Sequence, residues 1–119
     1  MCLLVTLQSD VDRLPEPTSR KPSAEEKIEG EPAFRTWLQD ESFGSEVRTA
    51  IWEATPGLTN CIKDGVYEYC LILQGVVEIA EAGGDAHTFR AGDSFILKPG
   101  FRGTWRTIET VRKMYVTVR

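Results

Sequence analysis

Between Glu68 and Trp105 the chain reads EYCLILQGVVEIAEAGGDAHTFRAGDSFILKPGFRGTW. Gly75, Gly83-Gly84, Gly92-Asp93 and Pro99-Gly100 cut it into short runs rich in Val, Ile, Leu, Phe and Tyr. Glycine and proline at this density break helices, while short apolar runs between them suit strands joined by tight turns. The same punctuation flanks this stretch, with Pro56-Gly57 and Asp64-Gly65 before it. The pattern predicts strands over 47–54, 58–63, 66–73, 76–81, 86–89, 93–97, 101–108 and 111–118, with Gly75 as the joint between two of them. Regularly spaced short strands without helical periodicity predict an all-β sandwich or barrel.

The N-terminal part is different. Residues 3–7 are apolar enough for a short first strand, and 34–38 are apolar enough to pack on the body. Between them the chain is polar and carries Pro15, Pro17, Pro22 and Pro32. Proline removes amide donors and fixes φ, so a long helix or central strand is excluded there. An extended arm is expected, with one helical turn over 24–28. The chain thus divides into an N-terminal strand and arm, 1–33, and a barrel, 34–119.

A length of 119 residues with 41% apolar content suits one core. Charges of both signs are interspersed and sum to -4, without a basic stripe, which argues against nucleic acid and anionic membranes as partners. Cys2, Cys61 and Cys70 are odd in number and lack framework spacing, so reduced thiols and a cytoplasmic protein are expected. The start, MCLLVTLQSD, has no basic n-region, and no run approaches the ~20 apolar residues of a spanning helix.

Two spacings carry a family likeness. Glu68, six residues, then Gly75 forms one; Gly92, five residues, then Lys98-Pro99-Gly100 forms the other. Together they resemble the two motifs of the cupins, small antiparallel β-barrels of jelly-roll type. The tail, with Lys98-Pro99-Gly100, Trp105, Arg112-Lys113 and Tyr115, and the segment IWEATPG at 51–57, resembles the ureidoglycine aminohydrolase cupins, manganese enzymes that release ammonia from a ureide. Metal-binding cupins also carry His-x-His before the Glu and a His two residues after Pro-x-Gly. Here the single histidine, His87, stands at neither place, and Gly103 occupies the last one.

Strand side chains alternate between faces. The resemblance directs Glu68 into the barrel, with Cys70 and Ile72, and places Phe101, Gly103, Trp105 and Thr107 on the inward face of the following strand. The last strand has two readings. Its pattern would bury Met114, Val116 and Val118, whereas the resemblance turns Tyr115 inward, and Lys113 with it. The resulting cavity has Glu68 as acid/base or ligand anchor, Tyr115 as hydrogen-bond donor and Lys113 as anchor for an anionic group. Trp52, Cys70 and Trp105 form its substrate-contacting wall.

A catalytic metal needs about three protein ligands. The first-motif positions fall at Cys61 and Lys63, or at Ile62 and Asp64, which with Glu68 gives at most two, so no cofactor is assigned. His87 is expected to face solvent. These residues suit a small-molecule binder or enzyme of the aminohydrolase-like cupin type. The alternative is a non-catalytic module that self-associates or binds a protein. A homodimer is expected, with the arm before Phe34 lying on the neighbour.

Overall fold

The structure is a computed structural model that describes residues 3–119, so Cys2 lies outside the described residues. It is all-β, with one 3-10 turn at Val11–Arg13 and no α-helix among the described residues. Nine strands follow: β1 (Thr18–Arg20), β2 (Lys27–Glu29), β3 (Phe34–Ser42), β4 (Val47–Ala54), β5 (Gly57–Ile62), β6 (Tyr67–Glu81), β7 (Ala86–Arg90), β8 (Ser94–Leu97) and β9 (Arg102–Val118). They form one antiparallel sheet that curls on itself as a jelly-roll barrel. Its main path is β1-β3-β4-β9-β5-β2, and β6 lies on the other side of β9 with β7 and β8 end to end along its far edge.

Two pairs of predicted strands are continuous. Residues 66–73 and 76–81 belong to β6, and 101–108 and 111–118 belong to β9. Gly75 is a bend rather than a turn. Its φ is +87°, and the β6–β9 register shifts three times between Ile72 and Val77. A side chain at 75 would strike the Thr110 carbonyl oxygen and come within 2.7 Å of the Val111 Cα. Glycine therefore lets β6 fold closely over β9 without leaving the sheet. The bend gives β9 two roles: its first half pairs with β5, from Ile62↔Arg102 to Gly57↔Thr107, and its second half pairs with β4, from Ala54↔Val111 to Val47↔Val118.

The arm returns to its own barrel. Residues 3–7 are exposed and belong to no strand, so the expected first strand does not form. Further on, β1 pairs with β3 and β2 pairs with β5. These are the two ends of the sheet path, so residues 18–29 form a strap from one end to the other. The helical turn expected over 24–28 is a tight turn at 24–26, closed by Glu26 N and Lys27 N donating to Ser23 O at 3.1 and 3.0 Å.

Alternation creates two cores. Inside the barrel, Ile72, Val77, Trp105 and Val111 pack with Phe34 and Ala54. Outside it, Trp37 and Ile51 are covered by Val11 from the N-terminal segment. Fully buried Ile51, Ile72, Val77 and Val111 each contribute roughly 1.5–3 kcal/mol.

Candidate functional site

The inner face of β6 presents Glu68, Cys70 and Ile72, all buried, while Tyr69 between them reaches solvent. The last strand follows the second of its two readings. Lys113 and Thr117 are buried on the inner face with Tyr115 between them, whereas Val118 is largely exposed. Register then assembles three rows across β6, β9 and β4: Glu68–Thr117–Arg48, Cys70–Tyr115–Ala50 and Ile72–Lys113–Trp52.

Lys113 lies two rows from Glu68 and reaches back along the barrel to it. Its ammonium donates to Glu68 Oε2, while the Lys63 ammonium lies 2.7 Å from Oε1 and the Cys70 thiol donates to Oε2 at 2.9 Å. The Lys113 Nζ also sits over three rings, 4.6 Å from the centroids of Trp52 and Trp105 and 5.3 Å from Tyr115. Trp52 and Trp105 meet edge to face at 5.3 Å, and the Trp105 indole N–H donates to Thr107 Oγ1 at 3.1 Å. The ammonium is thus held by one carboxylate and an aromatic cage.

Burial alone would raise the pKa of Glu68, but the charges of Lys113 and Lys63 outweigh it and hold the carboxyl at about 2. Burial opposes the charge on Lys113, yet its acidic neighbours Cys70 and Glu68 raise its pKa above the lysine range. Burial pushes the Cys70 thiol up, against the pull of Lys113. Burial likewise raises Tyr115, against Lys113 and Arg48. At neutral pH Glu68 is therefore a carboxylate, Lys113 an ammonium, Cys70 a thiol and Tyr115 an intact phenol.

Above this cluster opens a cavity of about 470 Å³. Glu68, Trp52, Trp105, Lys113 and Tyr115 line it. Cys70 does not; it is fully buried beneath Glu68, so its part is to donate to the carboxylate rather than to touch a ligand. Four basic residues on the wall were not anticipated as site residues: Lys63, Arg48, Arg20 and Arg119. Two signals pointed to them. Lys63 stands at a first-motif ligand position, and Arg48 shares a strand face with Trp52. Arg20 comes from the strap, where Glu26 grips it through both oxygens at 2.9 and 3.1 Å.

The residues do not fit a metal. Among the described residues no three His, Cys, Asp or Glu side chains converge. Both Glu68 oxygens already face ammoniums. Of the alternative positions, Cys61 and Lys63 line the cavity, whereas Asp64 pairs with Arg102 at 2.8 Å on the surface. A side chain at 103 would strike the Ala80 carbonyl oxygen, so this backbone has no room for the missing ligand. His87 is exposed on β7, 6.4 Å from the Phe89 ring, and borders a separate concavity of about 510 Å³. That hollow is walled by Phe89, Phe95 and Phe101 and holds no buried charge.

A curled antiparallel sheet with an inward motif carboxylate defines a cupin barrel. The chain belongs to the EutQ-like cupin domain family, whose model matches residues 41–115. It is similar to a protein of unknown function of the DUF861 family from Pseudomonas syringae, at 25% identity and TM-score 0.75 over 90% of this chain; it spans 46% of that protein's length. A DUF861 family protein from Thermotoga maritima is 34% identical over 55% of this chain and 73% of its own, with TM-score 0.52. The Clostridium difficile EutQ protein shares the fold at 15% identity and TM-score 0.58, over 71% of this chain and 63% of its own. No curated protein sequence matches the chain.

Proposed function

We propose that the barrel cavity binds a small organic anion. The observation that carries this is the charge of its wall. Five basic side chains, Arg20, Arg48, Lys63, Lys113 and Arg119, face two acidic ones, Glu26 and Glu68, in a chain whose net charge is -4. A cleft lined mainly by one sign of charge within low-dielectric walls concentrates ions of the other sign. Glu68 serves as the brace that holds Lys63 and Lys113 in place and keeps Lys113 charged.

Binding fits this wall better than acid/base turnover. A carboxyl held at about 2 stays ionised at neutral pH, and a lysine raised above its range stays charged. Proton transfer calls for a group poised near the working pH. From the likeness to the aminohydrolase cupins the proposal takes the kind of ligand, a small polar metabolite, and leaves out the metal-dependent reaction. Free thiols at Cys61 and Cys70 suit a reducing compartment such as the cytoplasm.

Titration with butyrate, followed by the indole N–H signals of Trp52 and Trp105, is the direct test. Saturable shifts are expected with butyrate and none with butylamine. Shifts with butylamine alone, or with neither at millimolar concentration, would overturn the reading.

A second reading, self-association, rests on the outer face. Tyr69 pairs with Ile96 on β8 and with Val116 on β9, and Tyr69 and Ile96 are exposed there, as is Val118 at the end of β9. Leu3, Leu4, Val5 and Leu7 add further exposed apolar surface. Light scattering should give a dimer mass, reduced to the monomer by Tyr69→Lys with Ile96→Lys. A monomer in the unaltered protein would remove this reading and leave the cavity untouched.

A further inference from the structure

The cavity wall distinguishes between its cations. The Lys113 ammonium is spent on Glu68 and three rings, and its side chain is 8% exposed. Arg20 is clasped by Glu26. Lys63 is different: one contact holds it to Glu68 Oε1, its side chain is 21% exposed, and its other donors remain for a ligand. Arg48 is different too. Its Nε faces the Glu41 carboxylate at 3.7 Å without a hydrogen bond, and its side chain is 36% exposed. A partly exposed guanidinium on the cavity wall, held by one long ion pair, keeps its terminal N–H donors for an arriving carboxylate.

These two groups stand apart. Arg48 is on β4 and Glu68, which braces Lys63, is on β6, with Thr117 of β9 between them in register. Two strand spacings separate their backbones by about 10 Å. Thr117 lies between Arg48 and Glu68 in register, Tyr115 lines the same cavity one row away, and Trp52 adds an aromatic face to the wall. A single compact ion suits one pole. An anion with two ends and a short stem suits both.

We infer that the ligand is a small dicarboxylate, one carboxylate on Lys63 and the other on Arg48, with its stem along Trp52 and Tyr115. This rests on the anion-binding reading above and adds a ligand class and a specificity residue to it. Arg48 selects the second charge. Its guanidinium can grip a carboxylate through two parallel N–H donors, which an ammonium cannot do.

The test compares succinate, butyrate and inorganic phosphate by calorimetric titration of the unaltered protein, Arg48→Gln and Lys63→Gln. Succinate is expected to bind at least tenfold tighter than butyrate and phosphate. Arg48→Gln should remove that margin by weakening succinate at least fivefold more than butyrate, while Lys63→Gln should weaken both carboxylates tenfold or more. Equal affinity for succinate and butyrate, a preference for phosphate, or equal losses of both carboxylates in Arg48→Gln would overturn the dicarboxylate and leave anion binding standing. Absence of binding by all three anions would overturn both. Unchanged Trp52 and Trp105 indole signals in the free variants establish that the barrel is intact, so that a lost affinity belongs to the substituted group.

Discussion

Glu68 and Glu53 are buried carboxylates, each held by two cations beside tryptophan, and they lie on opposite faces of the sheet. Outside the barrel, Arg35 Nε and Arg112 Nε donate to the two Glu53 oxygens at 2.7 and 2.8 Å, and both guanidiniums lie over Trp37, at 4.9 and 5.5 Å from its centroid. Burial would raise Glu53, but these two arginines outweigh it and lower its pKa. Inside, Lys63 and Lys113 do the same for Glu68. The two clusters have the same charge and similar parts. They differ in where the cations can go. Arg35 and Arg112 keep 44% and 24% of their side chains in solvent and Lys63 keeps 21%, whereas Lys113 keeps 8%. The outer group is a clamp between strands, and its cations have water to fall back on. The inner group holds a charge that depends on its partner, at the floor of a cavity.

The largest contrast should come from removing each carboxylate. Glu68→Leu leaves Lys113 charged in an apolar cage, and a loss of about 3–5 kcal/mol is expected. Glu53→Leu frees two arginines that can turn to water, and roughly 1–2 kcal/mol is expected. Urea unfolding of both variants measures this, and equal losses would break the comparison.

Acid should act next. Glu68 has an ordinary value of 4.5 and a folded value of about 2. Because the folded pKa is the lower one, the stability it confers is present above 4.5 and is lost as pH falls toward 2. The shift corresponds to about 3 kcal/mol. Denaturant unfolding between pH 5 and pH 2, with the Glu68 carboxyl followed by carbon NMR, should show a larger loss in the unaltered protein than in Glu68→Gln, where Glu53 still contributes.

Exchanging the cations should have smaller effects. Lys113→Arg forces a larger planar group into the cage and should cost roughly 1–3 kcal/mol. Arg112→Lys gives up fork geometry at a solvated site and should cost under about 1 kcal/mol. Thermal melts that reverse this order would mean that the cage has room to spare. The smallest net change is expected for Glu68→Leu with Lys113→Met. Removing both charges should restore stability to within about 1 kcal/mol of the unaltered protein. Failure of that rescue would show that Lys63 or the cage, rather than the lone ammonium, dominates the cost.

Much of the inner wall was legible because alternation is a strong rule wherever one face is buried. Glu68 fixed the face of Cys70 and Ile72, and Gly103 fixed that of Trp105 and Thr107. The last strand was ambiguous because hydropathy favoured Met114 and Val116, while the inner face holds Lys113 and Tyr115. A buried lysine contradicts the hydropathy rule unless its partner is known. The continuous β6 was hidden because a glycine bend and a glycine turn look alike in sequence; what separates them is the contact of residue 75 with Thr110, far along the chain. The strap was hidden because β1 and β2 are exposed at every position, so no alternation marks them. Arg48 was readable from its spacing to Trp52, but an arginine near a strand end ordinarily means solvent. The Glu53 clamp depends on the register of three strands, which no local pattern contains.

The strap also bears on how the cavity exchanges its contents. Arg20 and Lys27 end strands at opposite extremes of the sheet, yet only residues 21–26 separate them. Arg20 and Glu26 line the cavity and are ion-paired to each other, so this segment closes one side of it with its own charges. Closing so short a loop has a small entropic cost. A segment tied into the sheet at both ends stays beside the cavity, so its contact with the wall is intramolecular. A ligand in the barrel would therefore share its charged wall with a piece of the protein that never diffuses away.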